Sequence, residues 1–160
     1  MTRDERGEVV DVRWPDLIRR WSTDYSVDQT NRSFTFLAPR GLADVVDKLR
    51  PLEGGYAVTG AFAVPDEARV VASALLSCFV ADLTGVAEQL DLRPADAGAN
   101  VLLLEPFDEV VFRRTRSADG LVAVASSQCA VDLLTGSGRE PAQGDALIDW
   151  MTEHEDAWRN

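Results

Sequence analysis

The sequence predicts an α/β or α+β protein with a single mixed β-sheet flanked by helices. Stretches with helical spacing alternate along the chain with short apolar stretches typical of strands. The run over 75–80 is continuously apolar, as expected for a strand covered on both faces. A chain of 160 residues with 46% hydrophobic composition can bury one core.

Seven short stretches have the composition of strands, with β-branched or aromatic residues bounded by turn residues. Alternation at Phe34 and Phe36 predicts a half-buried strand at the second of them. The turn over 117–120 is expected to join the last two strands as a hairpin. The predicted strands span 7–12, 33–37, 56–59, 75–80, 100–104, 109–114 and 121–125.

Three helices are predicted in the first two thirds of the chain. Pro15 opens the first, because proline suits the first turn of a helix. The second spans 42–49, with apolar residues at i, i+3, i+4 and i+7, and the third spans 84–92. The apolar positions of the first helix are Trp14, Leu17, Ile18, Trp21 and Tyr25.

The stretch over 125–150 is predicted to be a strand end followed by two helices that organise the domain. Ser126 or Ser127 is a candidate N-cap of the first helix, and glycines at 136 and 138 are expected to end it. Pro141 begins the second helix, which runs to about residue 155. The apolar face of the first helix is Ala130, Leu133 and Leu134, and that of the second is Ala142, Ala146, Leu147, Trp150 and Met151.

Asp132, Arg139 and Trp150 are expected to serve the fold or an interaction rather than catalysis. Asp132 lies beside an apolar Leu-Leu pair, where an unpaired carboxylate would be costly if buried. Arg139 follows the glycine break, so a bidentate pair with Asp132 is predicted to fix the angle between the last two helices. Trp150 would then wedge between those helices.

Candidate catalytic groups are few, and we predict no catalytic residue, no metal site and no cofactor. The turn at Thr59-Gly60 resembles the glycine-rich turn of nucleotidyltransferases, which also need D-x-D carboxylates on the following strand. That strand offers only Asp82, at its end, so the resemblance implies at most a degenerate nucleotidyltransferase-like sheet. Glu105 and Asp108 flank a turn and are interpreted as loop caps. His154 has no second histidine with which to build a metal site or triad.

Two polar features are candidate interaction sites. Gly136, Gly138 and Arg139 have the composition of a small anion-binding nest, although glycines also simply end helices. A second candidate is a positive patch on the first helix, which could contact a partner or be a solvated face that covers the aromatic side chains. The patch is formed by Arg13, Arg19 and Arg20.

The charge and cysteine content restrict the partners and the compartment. A net charge of −11 disfavours autonomous binding to nucleic acid and favours solubility or a basic protein partner. Cys78 and Cys129 have no metal-ligand spacing, so buried free thiols in a cytoplasmic protein are expected. Neither a transmembrane run nor a signal-peptide core is found.

The pattern S-Q-x-A-x-D-L-L-x-G-x-G-R over 127–139 resembles the antitoxin domain of the AbiEi family, the abortive-infection type IV antitoxins. It includes Gln128, Asp132 and Arg139. Other segments are similar to the same family, and together they cover the chain from about residue 8. They are WSTDY at 21–25, FLAPRG at 36–41, YAVTG at 56–60, GANV at 98–101, EPFDEVVF at 105–112, Trp150-Met151 and Trp158-Arg159.

This resemblance implies a non-catalytic antitoxin and transcriptional regulator that counteracts a nucleotidyltransferase-like toxin. Family members usually carry an N-terminal winged helix-turn-helix that binds operator DNA, and residues 1–13 are too few for one. We therefore expect 1–13 to be an arm, a remnant of a wing strand, and 14–160 to be the antitoxin domain. A degenerate nucleotidyltransferase-like enzyme and a stand-alone acidic adaptor for a basic partner are the alternatives.

We expect the 160-residue chain to bind duplex DNA no more tightly than a non-specific binder does, because its charge of −11 repels phosphates. A gel shift at physiological salt measures this. A tight, sequence-selective shifted band would contradict it.

Overall fold

The computed structural model describes residues 2–3 and 5–159, and Met1, Asp4 and Asn160 of the predicted arm and domain lie outside them. A two-stranded antiparallel hairpin opens the described chain, formed by β1 (Thr2–Arg3) and β2 (Val9–Asp11). The strand predicted over 7–12 is thus present as β2. Its interpretation as part of a wing stays a prediction.

One mixed seven-stranded sheet forms the centre of the molecule, which confirms the predicted fold class. Its order is β6-β3-β7-β5-β4-β9-β8, with β5/β7 and β4/β9 parallel and the other neighbours antiparallel. The strands are β3 (Arg32–Leu37), β4 (Tyr56–Thr59), β5 (Leu76–Val80), β6 (Arg93–Pro94), β7 (Val101–Glu105), β8 (Arg116–Ala118) and β9 (Leu121–Ala123).

Six α-helices and three 3-10 turns accompany the sheet in the described residues. The α-helices are α1 (Trp14–Trp21), α2 (Leu42–Leu49), α3 (Leu83–Gln89), α4 (Ser126–Leu134), α5 (Glu140–Glu153) and α6 (Glu155–Trp158). The 3-10 turns are Gly60–Ala63, Asp66–Ala68 and Glu109–Phe112. None of these helices combines the length and the apolar composition needed to cross a membrane.

The core lies where β4 and β5 pair and where α4 packs on them. Every residue of both strands is buried, as the continuous apolar run of the second predicts. Helix α4 is buried on nearly all sides, including polar Gln128 and Asp132. An ordinary surface helix buries one stripe only, so α4 is a central element of the core.

Two local predictions are wrong: the strand over 109–114 and the serine N-cap of α4. The predicted strand over 109–114 is a 3-10 turn, which Asp108 starts by accepting a hydrogen bond from the Val110 amide at 2.8 Å. The first strand of the predicted hairpin is therefore β8. The tight turn between β8 and β9 places Gly120 at φ +77°. Ser126 and Ser127 do not cap α4, whose N-cap position is Ala125 without a side-chain bond.

The buried face of α5 is rotated by about one residue from the predicted stripe, and it retains Leu147 and Met151 of that stripe. Ala142 is exposed, whereas Gln143 is completely buried. The Gln143 carboxamide accepts bonds from the amides of Val70 and Val71 at 2.8 and 3.1 Å and donates to the Ala68 carbonyl at 2.7 Å. Burial of a side chain that bonds three backbone groups of one loop stabilises the fold more than burial of the Ala142 methyl group would.

Helices α4 and α5 lie in close contact at Gly144. A Cβ added there would lie 3.0 Å from the Leu134 backbone nitrogen and 3.2 Å from the Leu133 Cβ. The backbone of α4 cannot yield without shifting the whole helix. Glycine at this position therefore sets the distance between the two helices.

We expect Gly144→Ala to lower the free energy of unfolding by about 1–2 kcal/mol, because overpacking against α4 exceeds the gain in helix propensity. Urea denaturation followed by circular dichroism measures the loss. Gly54→Ala is the matched control, since a Cβ at Gly54 meets no atom within 4 Å. Equal stability of the Gly144 variant and the wild type would show that the helices can separate freely.

Candidate functional site

The carboxylate of Asp132 lies at the centre of a buried hydrogen-bond network. Asp132 is 3% exposed. Its Oδ1 accepts bonds from the Tyr25 hydroxyl at 2.7 Å and the Gln128 amide at 2.8 Å. Its Oδ2 accepts from the Thr59 hydroxyl at 2.6 Å. We call Tyr25, Thr59, Gln128 and Asp132 the Asp132 cluster.

A second layer of bonds attaches the loop between α1 and β3 to this cluster. Asn31 donates to the Tyr25 hydroxyl at 2.9 Å and to the Val27 carbonyl at 2.8 Å, and it accepts from the Phe107 amide at 3.0 Å. Thr135, which follows α4, accepts from the Val27 amide at 3.1 Å. The loop is therefore held to the end of α4 at several points.

Burial controls the ionisation of the cluster. It raises the pKa of Asp132 to about 6, against the opposing effect of the three donors, and the nearby charge of Glu140 raises it slightly further. Burial, followed by the Asp132 charge, also raises the pKa of the Tyr25 hydroxyl, which stays protonated and donates to the carboxylate. Such an arrangement holds a carboxylate in place and leaves it almost no contact with solvent.

The predicted Asp132–Arg139 pair does not form. Asp132 takes its bonds from Tyr25, Thr59 and Gln128, while Arg139 is exposed and makes no ion pair within the part of the chain that the structure describes. Neutral donors avoid the cost of desolvating a guanidinium as well as the carboxylate.

The predicted anion nest around Gly136, Gly138 and Arg139 is filled by the chain's own carboxylate. Glu140 accepts a bond from the Ser137 amide at 3.1 Å, and its side chain contacts the space beside Gly136 where a Cβ would lie. Burial raises the pKa of Glu140, and the Ser137 amide opposes that shift. An acidic side chain in the first turn of α5 suits this position, because the helix dipole favours negative charge there.

Trp150 is half-buried at the C-terminal end of α5. Its ring stacks on His154, with centroids 4.9 Å apart and an interplanar angle of 17°. The role of Trp150 as a wedge between α4 and α5 stays a prediction.

The three arginines of the predicted positive patch are each paired with a carboxylate. Arg19 bonds Asp145 of α5 at 2.7 Å, Arg20 bonds Asp24 at 3.1 Å, and Arg13 lies 3.4 Å from Asp16. The first of these pairs connects α1 to α5 at an exposed position. The three side chains therefore do not form an unpaired positive surface, and a partner role for them stays a prediction.

The other candidate carboxylates have structural partners. Asp82 is the N-cap of α3 and accepts from the Gly85 amide at 3.0 Å, while Glu105 pairs with Arg32 at 2.8 Å. After Thr59, the chain enters a 3-10 turn at Gly60. Over the described ranges, no group of three or more histidines, cysteines or acids could hold a metal ion.

Sequence reasoning identified the central residue of the site and one of its partners, and missed the other two. Asp132 and Gln128 were candidates, whereas Tyr25 and Thr59 were assigned only to a helix stripe and a turn. Tyr25 and Thr59 could have been singled out because each lies in a segment on which the resemblance to the AbiEi family is based. Glu140 and Gln143 gave no such signal, because each resembles an ordinary solvated helix residue.

The fold and the cluster define a class of protein: an acidic mixed-sheet domain whose buried carboxylate joins a central helix to the sheet and to one long loop. Comparison with family models, with curated proteins and with solved structures finds no match.

The Asp132 carboxyl should make the stability of the fold depend on pH. Its pKa is about 6 when folded and about 3.8 when unfolded, so the folded state binds the proton more tightly. This group therefore stabilises the fold most below pH 4, and that contribution, about 3 kcal/mol, is lost as the pH rises through 6. Asp132→Asn, whose amide can still pair within the cluster, should gain stability relative to the wild type over the same range.

Urea denaturation of both proteins between pH 4 and 7.5 measures the effect. Glu140 titrates in the same direction in both proteins, so the difference between them isolates Asp132. Asp149→Asn, at an exposed position of α5, is the control and should show no comparable trend. A difference between Asp132→Asn and wild type that stays constant across this range would refute the assignment.

Proposed function

We propose that this chain is the antitoxin domain of a type IV toxin–antitoxin system, a non-catalytic regulator that acts in the cytoplasm against a nucleotidyltransferase-like toxin. The main support is that separate segments of the family resemblance meet in the Asp132 cluster. Tyr25 comes from WSTDY, Thr59 from YAVTG, and Gln128 and Asp132 from the S-Q-x-A-x-D pattern.

Other segments of the resemblance also contact each other. Asn100 of GANV accepts a bond from the Ala38 amide of FLAPRG at 2.7 Å. Near the C-terminus, the Trp158 indole donates to the Met151 carbonyl at 2.7 Å. These contacts support the interpretation that the shared residues specify one architecture.

The roles of the carboxylates favour a regulator over the enzymatic alternative. Asp82, the candidate metal ligand after the Thr59-Gly60 turn, is engaged in capping α3. Asp132 is enclosed by three donors, and Glu140 is bonded to the loop before α5. The adaptor alternative shares the acidic surface, and it differs in requiring a stable complex with a basic partner.

Co-expression with the toxin tests the proposal. Cells carry an inducible nucleotidyltransferase-like gene taken from the genomic neighbourhood of this chain, together with the chain itself. We expect the wild type and Asp132→Asn to restore growth. Asp132→Ala should not, because it leaves the donors of Tyr25, Thr59 and Gln128 unpaired in the core and destabilises the fold by about 3 kcal/mol. Failure of a well-expressed wild-type chain to restore growth would overturn the proposal.

A labelling assay separates the regulator from the enzyme. We expect the purified chain, incubated with magnesium, a radiolabelled nucleoside triphosphate and candidate acceptors, to give no labelled product above buffer. Labelling that Asp82→Ala abolishes would favour the degenerate nucleotidyltransferase instead.

A further inference from the structure

A cleft of about 610 Å³ lies where the start of β8, the N-terminus of α4 and the end of α6 meet. We call it the arginine cleft. Its polar and aromatic lining includes Arg114, Arg116, Ser126, Ser127, Trp158 and Arg159.

Positive charge is concentrated in this cleft, in a chain whose net charge is −11. Neither Arg114 nor Arg116 forms an ion pair within the described residues, in contrast to the arginines of α1. Arg159 bonds Glu155 at 2.6 Å. The Arg114 guanidinium is therefore available to a negatively charged ligand, and guanidinium geometry matches the oxygens of phosphate.

Buried polar groups of the cleft lack protein partners. Ser126 is 6% exposed, and its hydroxyl makes no hydrogen bond to a described residue, although Ser126 lines the cleft. The Nε of Arg116 is fully buried without a hydrogen-bond partner, although the same guanidinium donates to the Ala63 carbonyl. Leaving buried donors unpaired is costly, so each such group calls for an explanation, and a bound ligand supplies one.

The N-terminus of α4 adds further donors. No side chain caps this nine-residue helix, although two serines occupy its first turn. Its first intrahelical bond runs from the Cys129 amide to the Ala125 carbonyl at 2.9 Å, so the amides before Cys129 have no helical acceptor. Such a helix end attracts anions through these amides and through the helix dipole.

We propose that the arginine cleft binds a small phosphate-bearing ligand. The phosphate oxygens would accept from the Ser126 hydroxyl, from the first amides of α4 and from the guanidinium of Arg114. The volume falls within the range of small-molecule sites, so an organic group attached to the phosphate can be accommodated beside Trp158. This site does not depend on the proposed antitoxin function.

Isothermal titration calorimetry of the full chain tests the proposal, with inorganic phosphate, adenosine 5′-monophosphate and adenosine as probes at matched ionic strength. We expect saturable binding of both phosphate-containing probes, with Kd of about 1 mM or tighter, and none of adenosine. Tighter binding of the nucleotide would assign the ligand as a phosphate ester, and equal affinities would assign it as free phosphate. No saturation by either phosphate-containing probe, or saturable binding of adenosine, would overturn the proposal.

Two variants and a matched control locate the binding. Arg114→Gln should weaken phosphate binding about tenfold, whereas Arg113→Gln, an exposed neighbour outside the lining, should leave it unchanged. Ser127→Asp places a carboxylate at the helix N-terminus, so it should raise thermal stability and yet remove phosphate binding. Equal effects of the two arginine variants, or unchanged affinity in Ser127→Asp, would refute the site.

Discussion

The burial of one carboxylate constrains the rest of this structure. A charged group removed from water destabilises the fold by several kcal/mol unless it is fully hydrogen-bonded. Asp132 meets that condition only when Tyr25 from the loop after α1, Thr59 from the end of β4 and Gln128 from α4 itself are all in place. The cluster therefore couples three parts of the chain, and misplacing any of them leaves a buried group unpaired.

The same principle operates elsewhere in the interior, where polar side chains hold loops that have no regular partner. Gln143 satisfies three backbone groups of the segment before β5, and Asn31 joins its own loop to the amide of Phe107. Glu140 holds the turn between α4 and α5 by accepting a hydrogen bond from the Ser137 amide. These contacts give a small acidic domain a rigid set of loops, while Gly144 lets its two packed helices approach closely. The polar interior is thus used for positioning.

The candidate site could be predicted only in part, because a sequence identifies a costly residue more readily than its partners. An aspartate beside two leucines indicates a carboxylate that must be paired if buried. The nearest suitable cation along the chain was Arg139, and that choice was wrong. The actual partners Tyr25 and Thr59 lie 107 and 73 residues away along the chain. No local pattern reports such a distance, and the free energy favours neutral donors over a second buried charge.

The sequence by itself determined the mixed sheet, the fully buried β4 and β5, the periodic α2, and the start of α5 to within one residue of its proline, because these follow from local hydrophobic pattern and backbone preference. The predicted apolar stripe of α1 is buried only at Ile18, since Leu17 and Trp21 are exposed and Tyr25 lies beyond the end of the helix. Tertiary structure alone decided the order of the strands, the 3-10 turn over Glu109–Phe112 and the one-residue offset of the buried face of α5. Each of those outcomes depends on which distant or competing group satisfies a buried backbone or side-chain donor. Hydrogen-bond satisfaction is a property of the assembled interior, whereas periodicity is a property of the chain.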